Sequence, residues 1–239
     1  METLVLIHGA WHDGSAFKEI AQILMSEGYS VHTPTILGNN AGDPKDVDLE
    51  DAISSIATYI VEQDLLDITL CGHSYGGMII TGVADKLESR IKRLIYWNAF
   101  VPNDGESLEN MVSQTFVDLA DKLTEPDGSF MLPFEVWREC FVNDASYEVA
   151  EDTYSKLNPH PRKTFAQPIR LTKNPSEFNV GKSYINCLED AALPQSEGWH
   201  PRLSEKLGLF RLIQISGDHE ACYTSATNLA HAIIRAAQP

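Results

Sequence analysis

The segment Leu70-Cys71-Gly72-His73-Ser74-Tyr75-Gly76-Gly77 constrains this chain more than any other stretch. Gly72-x-Ser74-x-Gly76 follows the apolar run Leu65-Leu66-Asp67-Ile68-Thr69-Leu70 and precedes a helix-like stretch, Met78-Ile79-Ile80-Thr81-Gly82-Val83-Ala84. Strand, Gly-x-Ser-x-Gly, helix is the setting of a nucleophile elbow. The turn is tight enough to strain the serine backbone, and side chains two residues away would collide, so glycine stands there. The serine Oγ is then held clear of the sheet, and the new helix aims its N–H groups at whatever reacts there.

The first half of the chain supports that setting by alternation. Leu4–Ile7 reads as a buried strand, Ser15–Glu27 as a helix (Phe17, Ile20, Ala21, Leu24) with Gly28 as its cap, and Tyr29–Thr33 as a second strand. Gly38–Val47 is a loop. Leu49–Gln63 is a helix with Ile53, Ile56, Ala57 and Ile60 on one face, and Ile91–Trp97 is a strand after the elbow. This order predicts a parallel sheet with helices on both faces. From Pro102 to about Pro175 the pattern changes to short helix-like pieces (Leu108–Leu119, Phe134–Cys140, Ser146–Leu157) broken by Asn158-Pro159-His160-Pro161. We read this as an insertion lying over the sheet. Alternation then resumes with strand Ser183–Leu188, helix Pro201–Leu207, strand Leu209–Ile215 and closing helix Ser225–Ala236.

At 239 residues the chain fits one domain with a proper core. A net charge of −16 argues against nucleic acid and anionic membrane surfaces as partners. It favours a soluble protein acting on a neutral or apolar small molecule, and it equally fits acidity that serves solubility alone. No basic segment or long apolar run precedes Leu4, and no run of about 18 apolar residues occurs, so neither a signal peptide nor a membrane span is expected. Cys71, Cys140, Cys187 and Cys222 are scattered and read as reduced thiols, which fits a cytoplasmic location. A homodimer is compatible with all of this.

A serine nucleophile needs a base, and the base an orienting acid. On a sheet of this kind they follow in chain order, on loops at the strands' carboxyl ends. Ser216-Gly217-Asp218-His219 follows the last strand and offers His219 as the base; His200 and His231 lie in or near helices. The preceding strand ends in Leu188-Glu189-Asp190, so Glu189 or Asp190 is the acid, and Asp190 is favoured because acids in this position are usually aspartates. The tetrahedral oxyanion needs two fixed donors. Tyr75 N–H, directly after the nucleophile, is one. Ala10 N–H, in the loop His8-Gly9-Ala10-Trp11 after the first strand, is the other. His8 and His12 are four apart but sit on a glycine-containing loop with no third ligand near in sequence, so no metal is expected. No cofactor is called for.

With these residues in place, the chain resembles the α/β-hydrolase superfamily, and within it the branch of plant methylesterases, hydroxynitrile lyases and their bacterial relatives. The resemblance is carried by Val5-Leu6-Ile7-His8-Gly9-Ala10-Trp11-His12, by Gly72-His73-Ser74-Tyr75-Gly76-Gly77-Met78, by Asn98-Ala99-Phe100-Val101-Pro102 with Gly105-Glu106-Ser107, by Leu188-Glu189-Asp190-Ala191-Ala192-Leu193-Pro194, and by Gly217-Asp218-His219. It implies an α/β-hydrolase fold with a mostly parallel six-stranded sheet. The core would comprise 1–102 and 179–239 within a single domain, and 103–178 would form a small, mainly helical cap. Gly9, Trp11, His12, Phe100, Phe134 and Trp137 would contact substrate. Of the cap aromatics Phe116, Phe130, Phe134, Trp137 and Tyr154, about half are expected in a pocket wall and the rest in ordinary core.

The expected activity is cleavage of carboxylic esters of small, apolar or aromatic molecules, with Ser74, His219 and Asp190 as the catalytic residues. Rival readings are a lactone or amide hydrolase, a C–C hydrolase or a hydroxynitrile lyase on the same fold, or a non-catalytic ligand receptor. The receptor needs neither a triad nor oxyanion donors. Hydroxynitrile lyases of this family carry a threonine where this chain has Gly9 and a lysine where it has Glu220. A lysine helps departing cyanide; a carboxylate at Glu220 supplies the opposite sign if it points into the site.

Overall fold

Alternating apolar residues give the core strands two buried faces, and in the computed structural model, which describes residues 2–238, six strands join in one sheet. They are β1 (Thr3–Ile7), β2 (Ser30–His32), β3 (Ile68–His73), β4 (Ile91–Trp97), β7 (Gly181–Cys187) and β8 (Arg211–Ile215). Two further strands, β5 (Ser129–Phe130) and β6 (His160–Pro161), pair antiparallel within the insertion. Two-residue strands leave no periodicity to read, so they were not expected. The sheet order is β2-β1-β3-β4-β7-β8, and every pairing is parallel. Among the described residues the sheet is thus wholly rather than mostly parallel.

Residues one apart along the strands feed different faces. Val5, Ile7, Leu70, Leu94, Tyr96 and Tyr184 pack with helices α2 (Leu49–Glu62) and α3 (Gly76–Leu87). Leu4, Leu6, Cys71, Ile95, Ile185 and Cys187 pack against α1 (Lys18–Ser26) and the last helix, Ala226–Ala237. A capping box fixes the start of α2: Asp48 accepts the Asp51 N–H, and the Asp51 side chain accepts the Asp48 N–H.

Two boundaries move from their expected places. β3 begins at Ile68 because Asp64 and Asp67 take left-handed backbone angles (φ 46° and 50°) and turn the chain before it. Of the expected helix 201–207 only the short 3-10 turn Ser204–Leu207 forms, closed by Gly208 at φ 69°.

β1 lies between β2 and β3, so the chain reverses its direction of travel across the sheet there. The crevice beyond the carboxyl ends of the strands at such a point is where open α/β sheets bind ligands. Ile7 is in register with Gly72, which places the loop after β1 beside the elbow after β3. The insertion, with α4 (Gln114–Lys122), the helical turns of Phe134–Phe141 and the helix Tyr147–Tyr154, shares its core with the sheet: Leu108, Met111, Phe130 and Trp137 belong to the same apolar cluster as Tyr75 and Phe100.

Candidate active site

Ser74 sits at φ 53°, the left-handed strain expected of an elbow. A Cβ at Gly72 would stand 2.6 Å from the Gly76 carbonyl oxygen, and one at Gly76 2.5 Å from that of Ile7. Both glycines are therefore required by close backbone approach. The turn is bonded on each side: Ser74 N–H donates to Trp97 O (3.2 Å), while Phe100 N–H (3.1 Å) and Gly77 N–H (3.0 Å) donate to Ser74 O. Tyr75 leads directly into α3.

His219, from the loop after β8, donates from Nδ1 to Asp190 Oδ2 at 2.6 Å, and both side chains are 1% exposed. That bond fixes the tautomer and leaves Nε2 for the cavity side. Burial pulls the His219 pKa down, but the Asp190 charge and hydrogen bond, helped by Glu220 and Asp218, raise it above its ordinary value. The ring is packed on two sides, stacked with Trp199 (centroids 5.2 Å apart) and edge-on to Phe141 (5.2 Å). His73 Nε2–H donates to the His219 carbonyl at 2.9 Å and ties the elbow to the histidine loop.

The two acidic candidates separate cleanly. Asp190 meets the imidazole, whereas Glu189 Oε2 accepts the Gly217 N–H at 2.5 Å and holds the loop that carries it. Asp190 Oδ1 also accepts the Ala192 N–H at 2.8 Å. A residue given no role from sequence completes this arrangement: fully buried Asn98 donates to Asp190 Oδ2 and accepts the Cys187 N–H at 2.7 Å. Its signal was present, a lone amide closing the apolar strand end Tyr96-Trp97-Asn98.

Ser74 and His219 open on one cavity of about 300 Å³. Ala10, Trp11, Tyr75 and Phe100 line it as expected. So does Phe116; Phe141, Phe165 and Trp199 complete the aromatic wall and were not singled out for it. Among the described residues the ionisable groups lining the cavity besides His219 are the Cys140 thiol and the Tyr75 phenol, and burial raises the pKa of both.

Four of the expected substrate contacts lie off this wall. Phe134 packs edge-on against Tyr147 and Tyr154 inside the insertion. Trp137 is fully buried, stacked on Phe141, with its indole N–H given to Thr153 Oγ1 at 3.2 Å. Phe130 and Tyr154 are likewise core, the first against Trp11 and the second bonded to Leu132 O. Gly9 works by absence: a Cβ there would lie 3.1 Å from Ser74 Cβ. His12 lies behind the wall, where its Nδ1–H donates to Ala10 O at 2.7 Å and its Nε2 faces Glu220 Oε2 at 3.3 Å. Glu220, 1% exposed, accordingly turns away from the cavity. His8 spends both ring nitrogens on the loops, donating to Gly9 O and accepting the Ile36 N–H.

A model of the alpha/beta hydrolase family matches residues 4–225. The carbendazim hydrolyzing esterase of Nocardioides sp. (strain SG-4G) is 43% identical over 111 residues, a match spanning less than half of each chain (45% and 46%). The pyrethroid hydrolase of Sphingobium wenxiniae is 26% identical over 246 residues, with 96% of this chain and 85% of that one covered. Among solved structures, an extracellular α/β-hydrolase from a Paenibacillus species, described as sharing structural and functional homology with tobacco salicylic acid binding protein 2, superposes with a TM-score of 0.96. It is 34% identical, and both chains are fully covered. Among the described residues no helix is long and apolar enough to cross a membrane.

Proposed function

The chain belongs to the α/β-hydrolase family, and from that premise we propose that it is a cofactor-free serine hydrolase that cleaves carboxylic esters of small, neutral molecules with apolar or aromatic groups. One observation carries the reading. Ser74, strained in its elbow, shares an uncharged apolar cavity with His219, whose far nitrogen is tied to Asp190. Ser74 Oγ attacks the ester carbonyl and passes its proton to His219 Nε2. The N–H groups of Ala10 and Tyr75 hold the oxyanion, and the N-terminus of α3 adds its positive end. The alcohol leaves with the proton from His219. Water, activated by the same nitrogen, then releases the acid.

Segment 103–178 serves as the cap that walls the pocket. A wall without fixed charge disfavours ionic substrates, because a charge buried there would be unpaired. The names of the relatives support ester cleavage over the rival reactions. So does Gly9, which leaves room beside Ser74, and so does the lack of a lysine after His219. The four free thiols suit a reducing compartment and support a cytoplasmic location, which cell fractionation tests. Exposed Leu209 and Leu212, at the edge strand β8, support a homodimer, which size-exclusion chromatography tests.

The functional test is a panel of aryl and alkyl esters, lactones, amides and mandelonitrile offered to purified protein. Ester hydrolysis that disappears in Ser74→Ala, with cyanide release no faster than background, is expected. Ser74-dependent cyanide release without ester hydrolysis would overturn the reading.

A further inference from the structure

Behind the cavity lies a buried pair that the catalytic reading leaves unused. His12 and Glu220 side chains are 3% and 2% exposed, and their Nε2 and Oε2 atoms are 3.3 Å apart. A carbonyl oxygen only accepts, so the 2.7 Å contact of His12 Nδ1 with Ala10 O puts the ring proton on Nδ1. In a neutral ring, Nε2 is then a lone pair facing a carboxyl oxygen, and it has no other hydrogen-bond partner among the described residues. Two acceptors cannot be buried face to face without cost. One proton must lie between them.

We propose that Glu220 is a protonated carboxylic acid at neutral pH, that its O–H donates to His12 Nε2, and that the pair braces the carbonyl of Ala10 and so the oxyanion loop. Both are positioning residues, and their role rests on the proposed part of Ala10. The alternative, an imidazolium beside a carboxylate, would bury two charges. Burial instead pushes the Glu220 carboxyl up to about 8 and holds His12 down at about 3, in agreement with a neutral pair. The groups around Glu220 are His219, Asp218, Cys222 and Tyr223 on its own segment, His12 after β1, His73 on β3 and Asp190 after β7. From the insertion, the Phe141 carbonyl accepts the Glu220 N–H at 3.2 Å and the Trp137 ring packs on His12.

The chain Glu220–His12–Ala10 thus joins the residue after the base to the loop that would hold the oxyanion. Losing the proton of Glu220 removes the brace and adds a negative charge beside His219. Activity therefore has an alkaline limit near pH 8, set by Glu220.

The test compares Glu220→Gln and Glu220→Met with wild type across pH on an activated aryl ester, and follows their melting temperatures. Met cannot donate; it should lower kcat at pH 7 by about 10-fold with little change in KM, short of the ~10²-fold cost of a badly misplaced group. Gln donates without a charge; it should restore most of that kcat and abolish the alkaline decline. The folded-state pKa of Glu220 is raised, so its contribution to stability is full below the ordinary carboxyl value and is lost as pH rises to about 8. The melting temperature of wild type relative to Glu220→Gln should fall across that window. A Glu220→Gln enzyme as impaired as Glu220→Met, an undiminished kcat in Glu220→Met, a persistent alkaline decline in Glu220→Gln, or a wild-type advantage that grows with pH would each overturn the proposal. If no ester is cleaved, the reading of Ser74 fails separately, and the melting comparison still judges the pair.

Discussion

The loops at the carboxyl edge of the sheet and the insertion above them divide the work of the cavity. The edge loops bring Ser74, His219, Asp190, Ala10 and Tyr75 together, and side-chain hydrogen bonds link those loops: Asn98 and His219 to Asp190, and Glu189 to the Gly217 N–H. The insertion contributes Phe116, Phe141 and Phe165 to the wall and only the raised-pKa thiol of Cys140 as an ionisable group. Both regions are buried in one apolar cluster. Burial alone therefore does not distinguish the proposed reacting groups from the wall; the difference lies in what each region presents to the cavity, Ser74 and His219 from the edge loops and mostly apolar rings from the insertion. Mutations on the edge should change kcat, and mutations on the wall should change KM and substrate choice.

The sharpest break of that contrast is at the base. His219→Ala should reduce turnover on the order of 10³-fold or more. The wild-type rate on an activated ester should fall as pH drops through a value above the ordinary histidine pKa, because the base works only unprotonated and Asp190 raises its affinity for the proton. Near-normal turnover in the mutant would move the base elsewhere. Asp190→Asn should cost roughly 10²–10⁴-fold, since an amide favours the wrong tautomer. Glu189→Gln, which keeps an oxygen for the Gly217 N–H, should be milder; the reverse ranking would exchange the two acids.

On the wall, Phe116→Ala should raise KM for an aryl ester by about 10-fold and alter kcat less, the usual scale for lost apolar contact in a pocket. A kcat collapse with KM unchanged would erase the division between the regions. Phe134→Ala is the smallest expected effect on catalysis. Its ring packs on Tyr147 and Tyr154, so the melting temperature should drop while kcat/KM stays within about threefold. A large specificity change there would return Phe134 to the pocket.

The same contrast explains what could be read from sequence. Strand alternation and backbone crowding leave local marks, so Ser74 between Gly72 and Gly76, and His219 after Gly217, could be found from composition and order alone. Asp190 and Glu189 differ only in which partner each meets across the sheet end, which their adjacency does not reveal. In the insertion, Phe134 and Trp137 look no different from Phe116 and Phe165; which rings face the cavity depends on how short helices pack, a non-local outcome. Glu220 shows the same limit: its place after His219 left open whether the carboxylate points into the site, and only its pairing with His12 across loops, off the cavity wall, decides it.

Covalent labelling tests the central claim most directly. A fluorophosphonate probe should add one adduct to the folded protein, mapped by peptide mass spectrometry to Ser74, absent from Ser74→Ala and much slower in His219→Ala. An adduct on another residue, or labelling that survives Ser74→Ala, would contradict the account.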